Sequence, residues 1–73
     1  MSEFFDTITI VLDGQPYALP AKTTLAALVE QLGHPAHTIS TAVNRQFVAR
    51  AARADCVLQA GDQVLVFQPI VGG

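Results

Sequence analysis

The sequence predicts an α+β domain in which a mixed sheet of four to five strands carries one helix packed on one face. Three observations predict it. Leu25, Leu28, Val29 and Leu32 fall at i, i+3, i+4 and i+7, a single apolar stripe of helical period. Asp13-Gly14 is a strong hairpin signal between two β-rich runs ahead of that stripe. Several short apolar runs bounded by turn residues come after it. A helix that buries only one face needs a partner layer, and a chain with one amphipathic helix and several strands meets that need with a sheet.

The elements follow in order. Thr7 to Leu12 reads as a strand, because β-branched residues dominate and Ile8, Ile10 and Leu12 alternate with Thr9 and Val11. After Asp13-Gly14, Tyr17 to Leu19 returns antiparallel. Pro16 and Pro20 bracket it and predict a short strand near an edge, since proline donates nothing to a ladder. Thr23-Thr24 opens the helix, with Thr24 placed to cap its first free amides. Ala26 and Ala27 favour helix, Gly33 stops it, and Pro35 prevents its resumption.

His34 to Thr38 reads as a loop, Ile39 to Val43 as a third strand, Asn44-Arg45-Gln46 as a turn and Phe47-Val48 as a short fourth strand. Ala49 to Asp55 fits either a helical turn or an irregular connection. Val57-Leu58 is apolar, Ala60-Gly61-Asp62 is a turn, and Gln63 to Gln68 is the last strand. The expected core is Ile8, Ile10, Leu12, Leu25, Leu28, Val29, Leu32, Leu58, Val64 and Val66. The chain divides into an N-terminal leader (1–7), one folded domain (8–69) and a flexible C-terminal tail (70–73).

Composition narrows the function. The 73 residues make one domain, and with 51% hydrophobic and 14% charged residues it is not disordered by composition. The net charge of −2 comes without a basic block, and only Arg45, Arg50 and Arg53 approach a cluster, so nucleic acid is a poor partner. No apolar run approaches a membrane span, and the acidic start Met1-Ser2-Glu3-Phe4-Phe5-Asp6 is unlike a signal peptide. The single cysteine, Cys56, forms no internal disulfide. These features point to the cytoplasm.

Two features point outward from the fold. In Val64-Leu65-Val66-Phe67 successive side chains point to opposite faces. If Val64 and Val66 meet the helix, Leu65 and Phe67, joined by Val11, lie on an open face that suits a partner. The chain then runs through Pro69, Ile70 and Val71 to Gly72-Gly73. Two glycines add little to a fold, because glycine loses the most freedom on ordering and packs nothing. They make a thin thread tipped by a carboxylate, able to enter a narrow channel in another protein. A frayed end is the plain alternative, but frayed ends are usually polar, and this one stays apolar up to the glycines.

With these elements placed, the chain resembles the ThiS family of small sulfur carriers of thiamine biosynthesis, which have the β-grasp, ubiquitin-like fold. The residues that carry the resemblance are Ala42-Val43-Asn44-Arg45-Gln46-Phe47-Val48-Ala49-Arg50, then Gly61-Asp62-Gln63-Val64-Leu65, then Gly72-Gly73. It covers nearly everything from Ile8 onward. Ala49 stands where the family often has proline, and Phe67-Gln68-Pro69 leans toward the sister family, the MoaD-like small subunit of molybdopterin synthase.

The resemblance implies a carrier and not an enzyme. It implies that a ThiF-like adenylating enzyme uses ATP to activate the Gly73 carboxylate. A sulfur donor such as a cysteine desulfurase then leaves a thiocarboxylate, whose sulfur a ThiG-like thiazole synthase takes. No cofactor would be bound to the chain itself, and Gly72 and Gly73 would be the modified end. Leu65, Phe67, Ile70, Val71 and Arg50 are the candidate partner contacts. The alternatives are the MoaD-like subunit and a ubiquitin-like protein modifier.

The remaining polar residues read as structural. Free cysteine is most often a small buried hydrophobe, and nothing near Cys56 in sequence lowers its pKa. His34 and His37 flank Pro35 in a loop and lack a third ligand. Asp13, Asp55 and Asp62 belong to turns. Arg50 can meet an acidic partner, and it is equally at home as a solvated arginine.

Overall fold

A computed structural model describes residues 6–68. The leader phenylalanines Phe4 and Phe5 and the segment 69–73 lie outside the described residues. The strands β1 (Thr7–Leu12), β2 (Gln15–Pro20), β3 (Ser40–Val43), β4 (Gln46–Val48) and β5 (Gln63–Phe67) form one mixed sheet in the order β2-β1-β5-β3-β4. The helix α1 (Leu25–Gln31) packs on one face. Only β1 and β5, the central pair, run parallel.

β1 and β2 join through a two-residue turn with positive φ at both Asp13 (50°) and Gly14 (84°), the backbone that matches the twist of a hairpin. β2 is longer than the proline bracket predicts, and both prolines lie within it. The register explains this. Pro16 faces Val11 and Pro20 faces Thr7, whereas Ala21 N–H bonds to Asp6 O at 2.7 Å one position further on. By the alternation of an antiparallel ladder, both prolines occupy sites whose nitrogen points away from β1, over the free edge of the sheet.

Thr24 caps α1 as expected, its Oγ1 accepting the Ala27 N–H at 3.1 Å. Gly33, at φ 82°, supplies the left-handed exit. The start of α1 is also tied to the segment before β5: Leu25 N–H donates to Cys56 O at 2.8 Å, Leu58 N–H to Thr23 O at 2.9 Å, and Thr24 bridges Val57.

Two sequence expectations are corrected and one open alternative is resolved. The loop before β3 contains a 3-10 turn, Ala36–Thr38, and β3 begins at Ser40, one residue later than expected. Ala49 to Asp55 resolves into a 3-10 helix, Arg50–Asp55, packed against α1. Gln46 belongs to β4 and not to the turn, because Asn44 (φ 52°) and Arg45 (φ 72°) alone make the reversal.

The core lies between the sheet and α1. Ile10, Leu19, Leu25, Leu28, Val29, Ile39, Leu58 and Val64 are buried, each such aliphatic contributing about 1.5–3 kcal/mol against exposure. Leu19 and Ile39 are additions to the expected core. Ile8, Leu12, Leu32 and Val66, expected in it, pack against its margin and are half-buried. Leu19 pairs with Ile8 across the hairpin, and it closes the core where the smaller pattern of β2 hid it.

Candidate functional site

The face of the sheet opposite α1 is the candidate docking surface, and the registers build it. Side chains at Gln63, Leu65 and Phe67 share one face of β5, while Val64 and Val66 point to the core side. Across β3, Leu65 faces Ala42 and Phe67 faces Ser40. Ala42 in turn faces Phe47 of β4. On the other flank Val11 is in register with Gln63. Phe47, Ala42 and Leu65 therefore lie in one row, with Phe67 beside it and Val11 at its margin.

Leu65 and Phe67 are 45% and 47% exposed, and Phe47 is 68% exposed. No described element covers them. The sequence expectation of an open apolar face at Leu65, Phe67 and Val11 matches this arrangement, with Val11 half-buried. Phe47 is the member that sequence reading missed. Its signal was available in the parity of a short strand: Val48 faces inward, so Phe47 faces out. A hollow of about 320 Å³ opens beside Leu65, lined by Val11, Gly14, Arg45, Gln63 and Val64.

The three arginines have different settings. Arg45 sits in the β3–β4 turn, Arg50 is exposed at the start of the 3-10 helix, and Arg53 is buried. Arg53 is the residue that sequence reading passed over. Its Nε donates to Thr41 Oγ1 at 3.0 Å, one terminal nitrogen to Ala36 O at 3.0 Å and the other to Ile39 O at 2.8 Å. It ties the Ala36–Thr38 turn and β3 to the 3-10 helix, which keeps β3 in line beside β5.

A second polar clamp holds the other end of β5. Asn44 Nδ2 donates to Asp62 Oδ1 at 3.0 Å, and Asn44 Oδ1 accepts the Gln63 N–H at 2.9 Å. Asp62 Oδ2 accepts the Gln59 N–H at 2.8 Å. The side chains of Asn44 and Asp62 thus substitute for ladder bonds where β3 turns away from β5. This gives a physical reason for asparagine in that turn and for Asp62 after Gly61.

Cys56 is half-buried, and burial first and the Asp62 carboxylate second push its thiol above the ordinary value. That keeps it in the unreactive thiol form. No helix among the described residues is long and apolar enough to cross a membrane.

The family model for the ThiS family matches residues 5–73. The chain belongs to the ThiS family. It is 38% identical over 64 residues to the sulfur carrier protein ThiS of Escherichia coli, a match covering 88% of this chain and 97% of that protein. Among solved structures, the crystal structure of the thiamine biosynthesis protein ThiS from Geobacter metallireducens superposes with a TM-score of 0.79 at 20% identity, over 90% of this chain and 100% of that one. A protein designed on a human ubiquitin template matches with a TM-score of 0.54 at 24% identity, over 93% and 96% of the two chains. At those identities the structures speak to fold alone, and the fold is the ubiquitin-like β-grasp.

Proposed function

We propose that this chain is a cytoplasmic sulfur carrier for thiazole formation in thiamine biosynthesis, a cosubstrate that other enzymes act on. The observation that carries the reading is the family match through Gly73, joined to the likeness to the Escherichia coli sulfur carrier over nearly that protein's whole length.

The chemistry proceeds at the Gly73 carboxylate. A carboxylate is a poor acyl donor, because its leaving group would be oxide. A ThiF-like enzyme joins it to the α-phosphorus of ATP and releases pyrophosphate. A persulfide on a donor such as a cysteine desulfurase then attacks the acyl carbon with its terminal sulfur, and AMP leaves with its bonding pair, which leaves an acyl disulfide. A second thiol attacks the donor's sulfur in that bond, forms a disulfide with it and releases the acyl sulfur with the bonding pair. The product is a thiocarboxylate, whose sulfur passes to a ThiG-like thiazole synthase. The chain's own contribution is recognition and delivery. Leu65, Phe67 and Phe47 offer apolar area for the partner, and Ile70, Val71, Gly72 and Gly73 follow β5 in the sequence. Arg50, exposed at the edge of the fold, is available to an acidic partner.

The test is intact mass after incubation with ATP, the adenylating enzyme and a sulfur donor. One oxygen exchanged for sulfur, mapped to Gly73, is the expected product. A variant extended by one residue beyond Gly73 should keep its fold and gain no sulfur. Sulfur loading of the extended variant would sink the reading.

A further inference from the structure

β5 carries Leu65 and Phe67 of the open face, and β1 accompanies it only part of the way. β1 pairs Val11 with Gln63 and Leu12 with Val64, then turns back at Asp13-Gly14. Asp13 continues the contact past the end of the strand. Its N–H donates to Val64 O at 2.9 Å, and its Oδ1 accepts the Val66 N–H at 3.1 Å. The carboxylate oxygen stands in for the carbonyl that a longer β1 would have offered. β3 does not serve that amide. Asn44 N–H bonds to Gln63 O at 2.7 Å, so by alternation Leu65 and Phe67 exchange bonds with β3 while Val66 points its N–H the other way. Among the described residues Asp13 is the partner of the Val66 N–H.

We infer that Asp13 is a positioning residue for the carrier's docking face: its carboxylate, bonded to the Val66 N–H, holds the last residues of β5, and with them Leu65 and Phe67, against the end of β1. The inference rests on the sulfur-carrier reading. A partner that seats on Leu65 and Phe67 gains from a strand already held in place, because the cost of ordering it is then met before binding. The bond links residues 53 positions apart, and it is exposed, so its effect on global stability is small beside its effect on local placement.

Two substitutions isolate the side chain. Asp13 has φ 50°, which glycine and asparagine both tolerate in this turn. D13G keeps the backbone and removes the acceptor, and D13N keeps both. The measurements are amide exchange at Val66 in the free protein and steady-state adenylation by the ThiF-like enzyme with the carrier as varied substrate. For D13G, faster exchange at Val66 is expected, with a carrier KM raised about three- to tenfold and kcat within about twofold, the scale of one lost hydrogen bond. D13N should match the native chain in both. A native KM in D13G, unaltered Val66 exchange in D13G, or a D13N as impaired as D13G would each overturn the inference. Failure of the unsubstituted chain to be adenylated would overturn the carrier reading instead, and the Val66 exchange would still report whether the bond exists.

Discussion

Arg53 Nε donates to Thr41 Oγ1 at 3.0 Å in the interior of the domain, where the two residues are 3% and 0% exposed. No carboxylate pairs with this guanidinium among the described residues. Its charge is instead solvated by two carbonyls, Ala36 O and Ile39 O, and one hydroxyl. Thr41 passes the chain of bonds on, its own hydroxyl donating to Val48 O at 3.0 Å. The planar fork of arginine reaches three acceptors at once, so one side chain joins the 3-10 helix, the Ala36–Thr38 turn, β3 and, through Thr41, β4.

Arg53→Met keeps the length of the side chain and removes the donors. It should destabilise the domain by about 2–4 kcal/mol, because buried acceptors lose their partners. Arg53→Lys should recover only part of that, since an ammonium cannot present the same fork. Urea unfolding of the three proteins decides it. A Lys variant equal to the native chain would show that charge alone is required.

Asn44→Gly retains the positive φ of the turn and deletes the clamp on Asp62 and Gln63. A loss of about 1–2 kcal/mol is expected from its two hydrogen bonds. Asn44→Asp should be worse at neutral pH, because it replaces a donor facing Asp62 with a second carboxylate. The midpoints of urea unfolding rank the pair, and an Asp variant more stable than the Gly variant would contradict the clamp.

Leu65→Ser, Phe67→Ser and Phe47→Ser remove apolar area from a surface that no described element covers. Each should change stability by less than about 1 kcal/mol and raise the carrier KM in adenylation or sulfur transfer. Unchanged kinetics in all three would remove the open face from the list of partner contacts.

Cys56 bears on pH dependence. Its thiol is raised in the folded protein by burial and then by Asp62, so the unfolded chain ionises first as pH rises. The stabilisation from keeping the thiol neutral is complete below the ordinary thiol pKa, and it is lost as pH rises toward the folded value. Urea midpoints between about pH 7 and about pH 10 should fall for the native chain and fall less for Cys56→Ala, which should still load sulfur. A parallel decline in both proteins would show that the thiol is not responsible.

Much of this architecture is legible in local pattern. The stripe of Leu25, Leu28, Val29 and Leu32, the Thr24 cap and the Gly33 stop specify α1 without any distant contact, because side-chain period and free amides are properties of the segment itself. The same holds for the Asp13-Gly14 reversal and for the alternation that turns Leu65 and Phe67 outward. The short, mixed segment from Ala49 to Asp55 was open, since alanine and arginine suit a helical turn and a loop alike. Its outcome follows from Arg53, whose acceptors lie on residues far back in the chain.

The sequence by itself determined the helix, the two tight turns, the alternation of the strands and membership of the ThiS family, since periodicity, turn chemistry and motif spacing are written along the chain. Only the tertiary structure decided that Leu19 and Ile39 complete the core, that Arg53 is buried, that Phe47 joins Leu65 across Ala42, and that Asp13 holds the Val66 amide. Those outcomes depend on which strands lie side by side. A side chain's hydrogen-bonding partner or its degree of cover is set by neighbours in space, and strand order places such neighbours up to 53 residues apart.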